Sequence, residues 1–200
     1  YEIAQCLVGS EMCIRDRSAM SAEDMMRFLD QCNIETELKF RVAFHCGPVL
    51  KNVKASNAMN ARPGTWNRIW RSLKGTAVSC IPLYIGKNKE LLLFYRYDRL
   101  EKHLNKQENR EFLNKMGYLD VSVSAVLRKL RQRYERYAEK QADFPHELGV
   151  ILEYPVEDVE DFIKFGGQNC LMERYWKVYH NVESCLLYTS PSPRDTERSR

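Results

Sequence analysis

The sequence predicts a single, mainly helical α+β domain built around a small antiparallel sheet. Two observations carry that expectation. Apolar residues recur at steps of three and four through most of residues 21–163, the period of helices that bury one stripe. Against that background two short runs, AVSCIPLYI from Ala77 and ELLLFYRY from Glu90, are rich in β-branched and aromatic residues and flank GKNK, the pattern of a β-hairpin over 77–97.

Ser21, with Asp24 following, starts a short helix whose apolar face holds Met25, Met26, Phe28 and Leu29 and which ends near Asn33. The next stretch, IETELKFRVAFHCGPVL, places Leu38, Val42 and His45 at helical spacing, with His45 inward. It is expected to stop at Gly47 and Pro48, since proline lacks the N–H that a helix needs. After a polar stretch, Thr65 caps a helix whose Trp66, Ile69, Trp70 and Leu73 form one stripe plugging the core, closed by a left-handed Gly75. Pro82 assigns the first hairpin strand to a sheet edge or a bulge.

Helical spacing returns over 98–103 and 107–116, with Gly117 as the stop, and then over 122–141. In that longer helix Val123, Leu127, Leu130, Tyr134 and Tyr137 share one face, while Arg128, Lys129, Arg131, Arg133, Arg136 and Lys140 occupy the others. Pro145 suits a helix's first turn, and Tyr154, preceding a proline, leaves the helical region. Pro155 then opens a helix whose first turns carry Glu157, Asp158, Glu160 and Asp161, as the helix dipole favours. Beyond Gly166 and Gly167, RYWKVYHN is expected to add a third strand near 174–180 to the hairpin, with helices covering one face of the sheet.

Both ends look foreign to this pattern. The tail CLLYTSPSPRD, 185–195, back-translates into a sequence that resembles a transposon-end sequencing adapter, and the head LVGSEMCIRD, 7–16, reads as the opposite strand of the same oligonucleotide. We therefore expect adapter-like flanks at 1–17 and 185–200 around one α+β domain at 18–184, truncated at its C-terminus. Loss of a terminal helix should leave apolar surface uncovered near Tyr179 and Val182. The flanks carry five basic and five acidic side chains, so the remaining domain keeps the formal charge of +4, too mild to argue for nucleic acid. Cys32, Cys46, Cys80 and Cys170 are widely spaced with no CxxC pair, which signals neither a zinc knuckle nor a redox dithiol. With no secretory leader and no apolar run long enough for a bilayer, the expected setting is the cytoplasm, with no membrane partner.

FPHELGVILEYPVEDVEDFIKFGGQN, followed by YWKVYHN and preceded by FHCGPVL and Asn57, resembles a family of clostridial and related anaerobe proteins known only as a domain of unknown function, number 3793. The likeness spans nearly all of the expected domain. The family pattern favours glycine where this chain has Glu153, before YP, and where it has Arg174, before YWKVY. The resemblance implies no activity and no cofactor.

His146 beside Glu147 suggests a metalloprotease helix only until the second ligand position is read: Val150 stands where HExxH needs its second histidine. The plain alternative is a polar first turn, Glu147 favoured by the dipole. A nucleophile–base enzyme would pair Cys46, at the helix end before Gly47, with His146 as base. No spacing supports a metal held by His45, Cys46 and His146. The basic helix is interrupted by Glu135 and Glu139, and the helix after Pro155 begins with acids that would repel phosphates, so neither favours nucleic acid. The leading expectation is a binding or regulatory module for a small molecule or protein, with His45, Asn57, Glu147, Trp176, Lys177 and Tyr179 as ligand-binding residues. The Cys46–His146 enzyme is its rival.

Overall fold

The computed structural model describes residues 31–173 and 176–181, together with Arg27. Both adapter-like flanks and Met25, Met26, Phe28 and Leu29 of the expected first helix lie outside the described residues. The fold is α+β, mainly helical, with a small antiparallel sheet.

The sheet is organised by β3 (Glu90–Tyr95), whose first five residues are all buried. A strand that is apolar at both parities has to be covered on both faces. β2 (Ser79–Ile85) pairs with it through the expected hairpin, and β1 (Ser56–Ala61) pairs antiparallel on its other side, giving the order β1-β3-β2. Pro82 meets both of its expectations: β2 is an edge strand, and its register shifts between Pro82 and Tyr84.

The third strand is not the expected one near 174–180. It is SNAMNA, which reads as a polar loop because its polar side chains are satisfied locally: Ser56 Oγ donates to the Ile151 carbonyl at 2.6 Å, and Asn57 Nδ2 to the carbonyl of His45. Ala58 and Met59 then face opposite layers of the core. The segment after Gly167 forms a separate ribbon of β4 (Met172–Glu173) and β5 (Lys177–Val178).

Helices cover the sheet on both faces, not one. On one side Leu92, Phe94, Met59 and Cys80 pack with Cys46 and Val49 of α1 (Ile34–Leu50) and Ile69 of α2 (Trp66–Ser72). On the other, Leu91, Leu93, Ala58 and Leu83 meet Leu100 and Leu104 of α3 (Tyr97–Leu104) and Val126, Leu130 and Tyr134 of α5 (Val123–Ala138). Between them lies α4 (Gln107–Lys115), whose Phe112 joins Val150 of α6 (Glu147–Ile151) and Val156 and Val159 of α7 (Val156–Phe165).

Two local expectations change. α1 runs through Gly47 and Pro48 to Leu50, because a proline in the last turn removes one backbone bond while its carbonyl accepts the N–H groups of Val53 and Lys54 at 2.8 and 3.1 Å. The tryptophans of α2 do not plug the core: Ile69 does, Trp66 is half-buried and Trp70 is 44% exposed under Lys74. The cap of α2 is also not the Thr65 side chain. Glu90, reaching across from β3, accepts from Gly64 N at 2.7 Å and Trp66 N at 2.9 Å.

Candidate functional site

The segment from Phe144 to Tyr154 holds the polar groups with the least ordinary surroundings. Pro145 and His146 start a single turn, with the Leu148 and Gly149 N–H groups on their carbonyls at 3.0 and 2.9 Å. α6 follows, and every one of its residues is buried because Leu148, Val150 and Ile151 leave no polar face. Glu147, its first residue, is therefore drawn inside with them, at 0% exposure.

A buried carboxylate needs partners. Glu147 Oε1 accepts from the Tyr118 hydroxyl at 2.8 Å and forms an ion pair with Arg133 Nε at 2.9 Å. Tyr118 is placed by Gly117, whose left-handed backbone (φ +82°) turns the chain from α4 toward α5, and Arg133 also donates to the Met116 carbonyl at 3.1 Å. Burial, followed by the charge and hydrogen bond of Glu147, raises the Tyr118 pKa, so the phenol remains a donor. Glu147 Oε2 is buried without a hydrogen-bond partner, and so is Nδ1 of the neighbouring His146. The imidazole lies against the rings of Phe144 and Phe162, at 5.5 and 5.6 Å between centroids. Burial lowers its pKa against the opposing pull of Glu147 and Asp143, which favours the neutral ring. A carboxylate oxygen and an imidazole nitrogen, side by side and unoccupied, can together hold a small molecule that donates hydrogen bonds.

The other expected site residues lie elsewhere. Cys46 is fully buried in the layer of Met59, Cys80 and Phe94, while His146 lies beside Phe144, which packs with the Leu91 and Leu93 layer. The sheet stands between them, so the geometry does not bring thiol and imidazole together as nucleophile and base. Burial, with Cys80 nearby, also raises the Cys46 thiol pKa, which opposes thiolate formation. His45 is half-buried, edge-on to Phe44, and its carbonyl is held by Asn57, so those two residues tie α1 to β1.

Trp176, Lys177 and Tyr179 form a latch. Asp158 of α7 accepts from Trp176 Nε1 at 2.9 Å, Tyr179 N at 2.8 Å and His180 N at 3.2 Å, and Lys177 Nζ donates to the Gly167 carbonyl at 2.8 Å. Trp176 stacks on Tyr154 at 4.8 Å. Tyr179, expected near an uncovered surface, is 8% exposed and stacks on Phe165; Val182 lies outside the described residues.

Sequence reasoning missed Tyr118 and Asp158 as site residues and treated Arg133 as one more solvated cation. Tyr118 is 29 residues from Glu147, and nothing local marks the pair. Among the described residues no group of three His, Cys, Asp or Glu side chains is placed to hold a metal ion, and no helix is long and apolar enough to cross a membrane. No curated protein and no solved structure matches the chain. Residues 42–191, which contain α6, its Glu147 cluster and the Asp158 latch, match the model of a family described as a protein of unknown function, DUF3793, and the chain belongs to that family.

Proposed function

We propose that the protein is a small-ligand-binding module whose site is the start of α6. The observation that carries this reading is the pair of buried, unpartnered acceptor positions on consecutive residues, Glu147 Oε2 and His146 Nδ1. A buried polar atom without a partner costs about 1–3 kcal/mol, more when charged, and a ligand that supplies the missing donor recovers that cost. His146 is half-buried and the Arg133 side chain is 36% exposed, so the cluster reaches the surface from one side. A carboxylate that accepts only, backed by a neutral imidazole, selects a primary amine or primary amide of small size.

Thermal shift with methylammonium, benzylamine and acetamide tests the reading. At saturating concentration an amine or amide raises the wild-type Tm and leaves Glu147→Gln unmoved; at about 100 Kd the stabilisation is roughly 2.7 kcal/mol. His146→Ala, which leaves the Arg133 pair intact, weakens the shift without abolishing the fold. Equal shifts in wild type and Glu147→Gln, or none in the wild type, would overturn the reading.

A further inference from the structure

Lys54 lies away from the Glu147 cluster, in the short link between α1 and β1, and its surroundings differ from those of the other described lysines. Lys39 and Lys115 are ion-paired to Glu35 and Glu160, and Lys129 and Lys177 donate to backbone carbonyls. Lys74 and Lys164 lie over aromatic rings on the exposed surface. Lys54 is half-buried, and among the described residues no carboxylate lies within ion-pair distance of its Nζ, which sits 5.4 Å from the centre of the Tyr154 ring.

Its position is fixed by the backbone around it. The Lys54 N–H is bonded to the Pro48 carbonyl at 3.1 Å, and the next N–H, of Ala55, is held by Glu153 Oε2 at 2.8 Å. The Tyr154 wall is equally firm, since its ring stacks on Trp176, which is anchored by Asp158. Glu153 adopts a left-handed backbone (φ +63°) where the resembling sequences favour glycine, and that conformation aims its carboxylate at the start of β1 beside Lys54.

We propose that Lys54 is a carbonyl-capturing amine, a second ligand site of different chemistry, which takes small aromatic aldehydes as reversible imines with Tyr154 as the wall for the aldehyde's ring. The amine lone pair attacks the carbonyl carbon as the C=O π pair moves onto oxygen. A proton passes from nitrogen to that oxygen to give the carbinolamine, and a second proton, relayed by Glu153, lets the oxygen leave as water while the C=N bond forms. Water reverses the sequence, and nothing is oxidised or reduced. Burial brings the Lys54 ammonium down to about 8, against the opposing charges of Glu153 and Cys46, so a large share of the amine is free near neutral pH.

The test is competitive trapping on the full chain at pH 8 with benzaldehyde and cyanoborohydride, followed by site-resolved peptide mass spectrometry. Lys54 acquires the benzyl group about tenfold faster than Lys39, Lys74 or Lys164, because an exposed lysine is almost wholly protonated there. Lys54→Arg, which keeps charge and approximate length, removes the fast phase and leaves the slow lysines unchanged. Tyr154→Leu slows Lys54 labelling by benzaldehyde more than by formaldehyde, which has no ring to place. Labelling of Lys54 no faster than Lys74 in the wild type would overturn the proposal, and so would a fast phase that survives in Lys54→Arg. The Glu147→Gln variant leaves Lys54 labelling unaffected, which separates this site from the one at α6.

Discussion

Replacing Tyr118 by phenylalanine removes one hydrogen bond from the Glu147 carboxylate and leaves the ring in place. Tyr118 is 1% and Glu147 0% exposed, so water cannot substitute for the lost hydroxyl. A bond to a charged group is worth about 1.5–3 kcal/mol, and because Arg133 Nε still reaches the same oxygen at 2.9 Å, the lower half of that range is expected, about 1.5–2 kcal/mol. Arg133→Met strips away the countercharge instead. Breaking a fully buried pair costs about 3–5 kcal/mol, but the Arg133 side chain is 36% exposed and solvent screens it, which brings the expectation to roughly 2–3 kcal/mol.

Both groups act on one oxygen, so their losses should not add. A double-mutant cycle read from urea midpoints at constant m should give a coupling of about 0.5–2 kcal/mol. The raised Tyr118 pKa supplies a sign test as well. Its contribution is fully present below about pH 10, the unfolded value, and is lost as pH rises through the higher folded value, so the wild type loses its advantage over Tyr118→Phe only in strong base. A Tyr118→Phe variant within about 0.5 kcal/mol of wild type, together with strict additivity, would refute the view of Glu147 as a buried ionised hub.

Other consequences are as direct. His103 donates from Nε2 to the Val150 carbonyl at 2.7 Å and is held by Asn109, and burial lowers its pKa. The unfolded chain therefore binds the proton first as pH falls below about 6.5, and stability measured by denaturant titration declines from there toward the folded pKa; His103→Gln should flatten that slope in part, His146 supplying the remainder with the same sign. In Asp158→Asn, an amide nitrogen facing Trp176 Nε1 sets donor against donor, so the latch loosens by about 1.5–3 kcal/mol; in a Trp66→Phe/Trp70→Phe background the Trp176 emission shifts to the red, whereas an unchanged spectrum rules the latch out. In Gly149→Ala the new Cβ would stand 3.0 Å from Val159 Cγ2, and overpacking of about 1–3 kcal/mol outweighs a helix-propensity gain of about 1 kcal/mol. Thermal melts should show that loss, and Val159→Ala in the same chain should restore part of it.

The elements that sequence reasoning located are those whose signal is local. The hairpin around GKNK, the edge position and register shift at Pro82, the stops at Gly75 and Gly117 and the inner face of α5 all follow from residues within one turn or one strand of each other. β1 failed because its evidence lies far away: SNAMNA looks like a loop until Ile151 and His45 are found accepting from Ser56 and Asn57. The ribbon after Gly167 failed for a related reason, since an aromatic run such as YWKVY fits a sheet edge or a short latch equally well, and Asp158 decides between them. His146 and Glu147 stood out because charge beside an apolar run is unusual, but Arg133 resembles every other cation on its helix until the carboxylate it serves is placed.

These failures share one cause, and it gives the corner at 144–154 its meaning. Over this short stretch the chain reaches Tyr118 and Arg133 through Glu147, His103 through the Val150 carbonyl, Ser56 through the Ile151 carbonyl, Ala55 through Glu153, and Lys54 and Trp176 through Tyr154. Each contact satisfies a buried or half-buried polar group of a different element, so the segment cannot shift without unpairing several at once. That demand explains why α6 is so short: a longer helix would return its carbonyls to its own backbone, and those of Val150 and Ile151 would no longer face His103 and Ser56. It also explains why two acceptors remain empty at the one place where the corner meets the surface. A segment that spends its polar groups on five neighbouring elements, yet leaves Glu147 Oε2 and His146 Nδ1 unpaired, keeps a preformed site whose geometry is set before any ligand arrives.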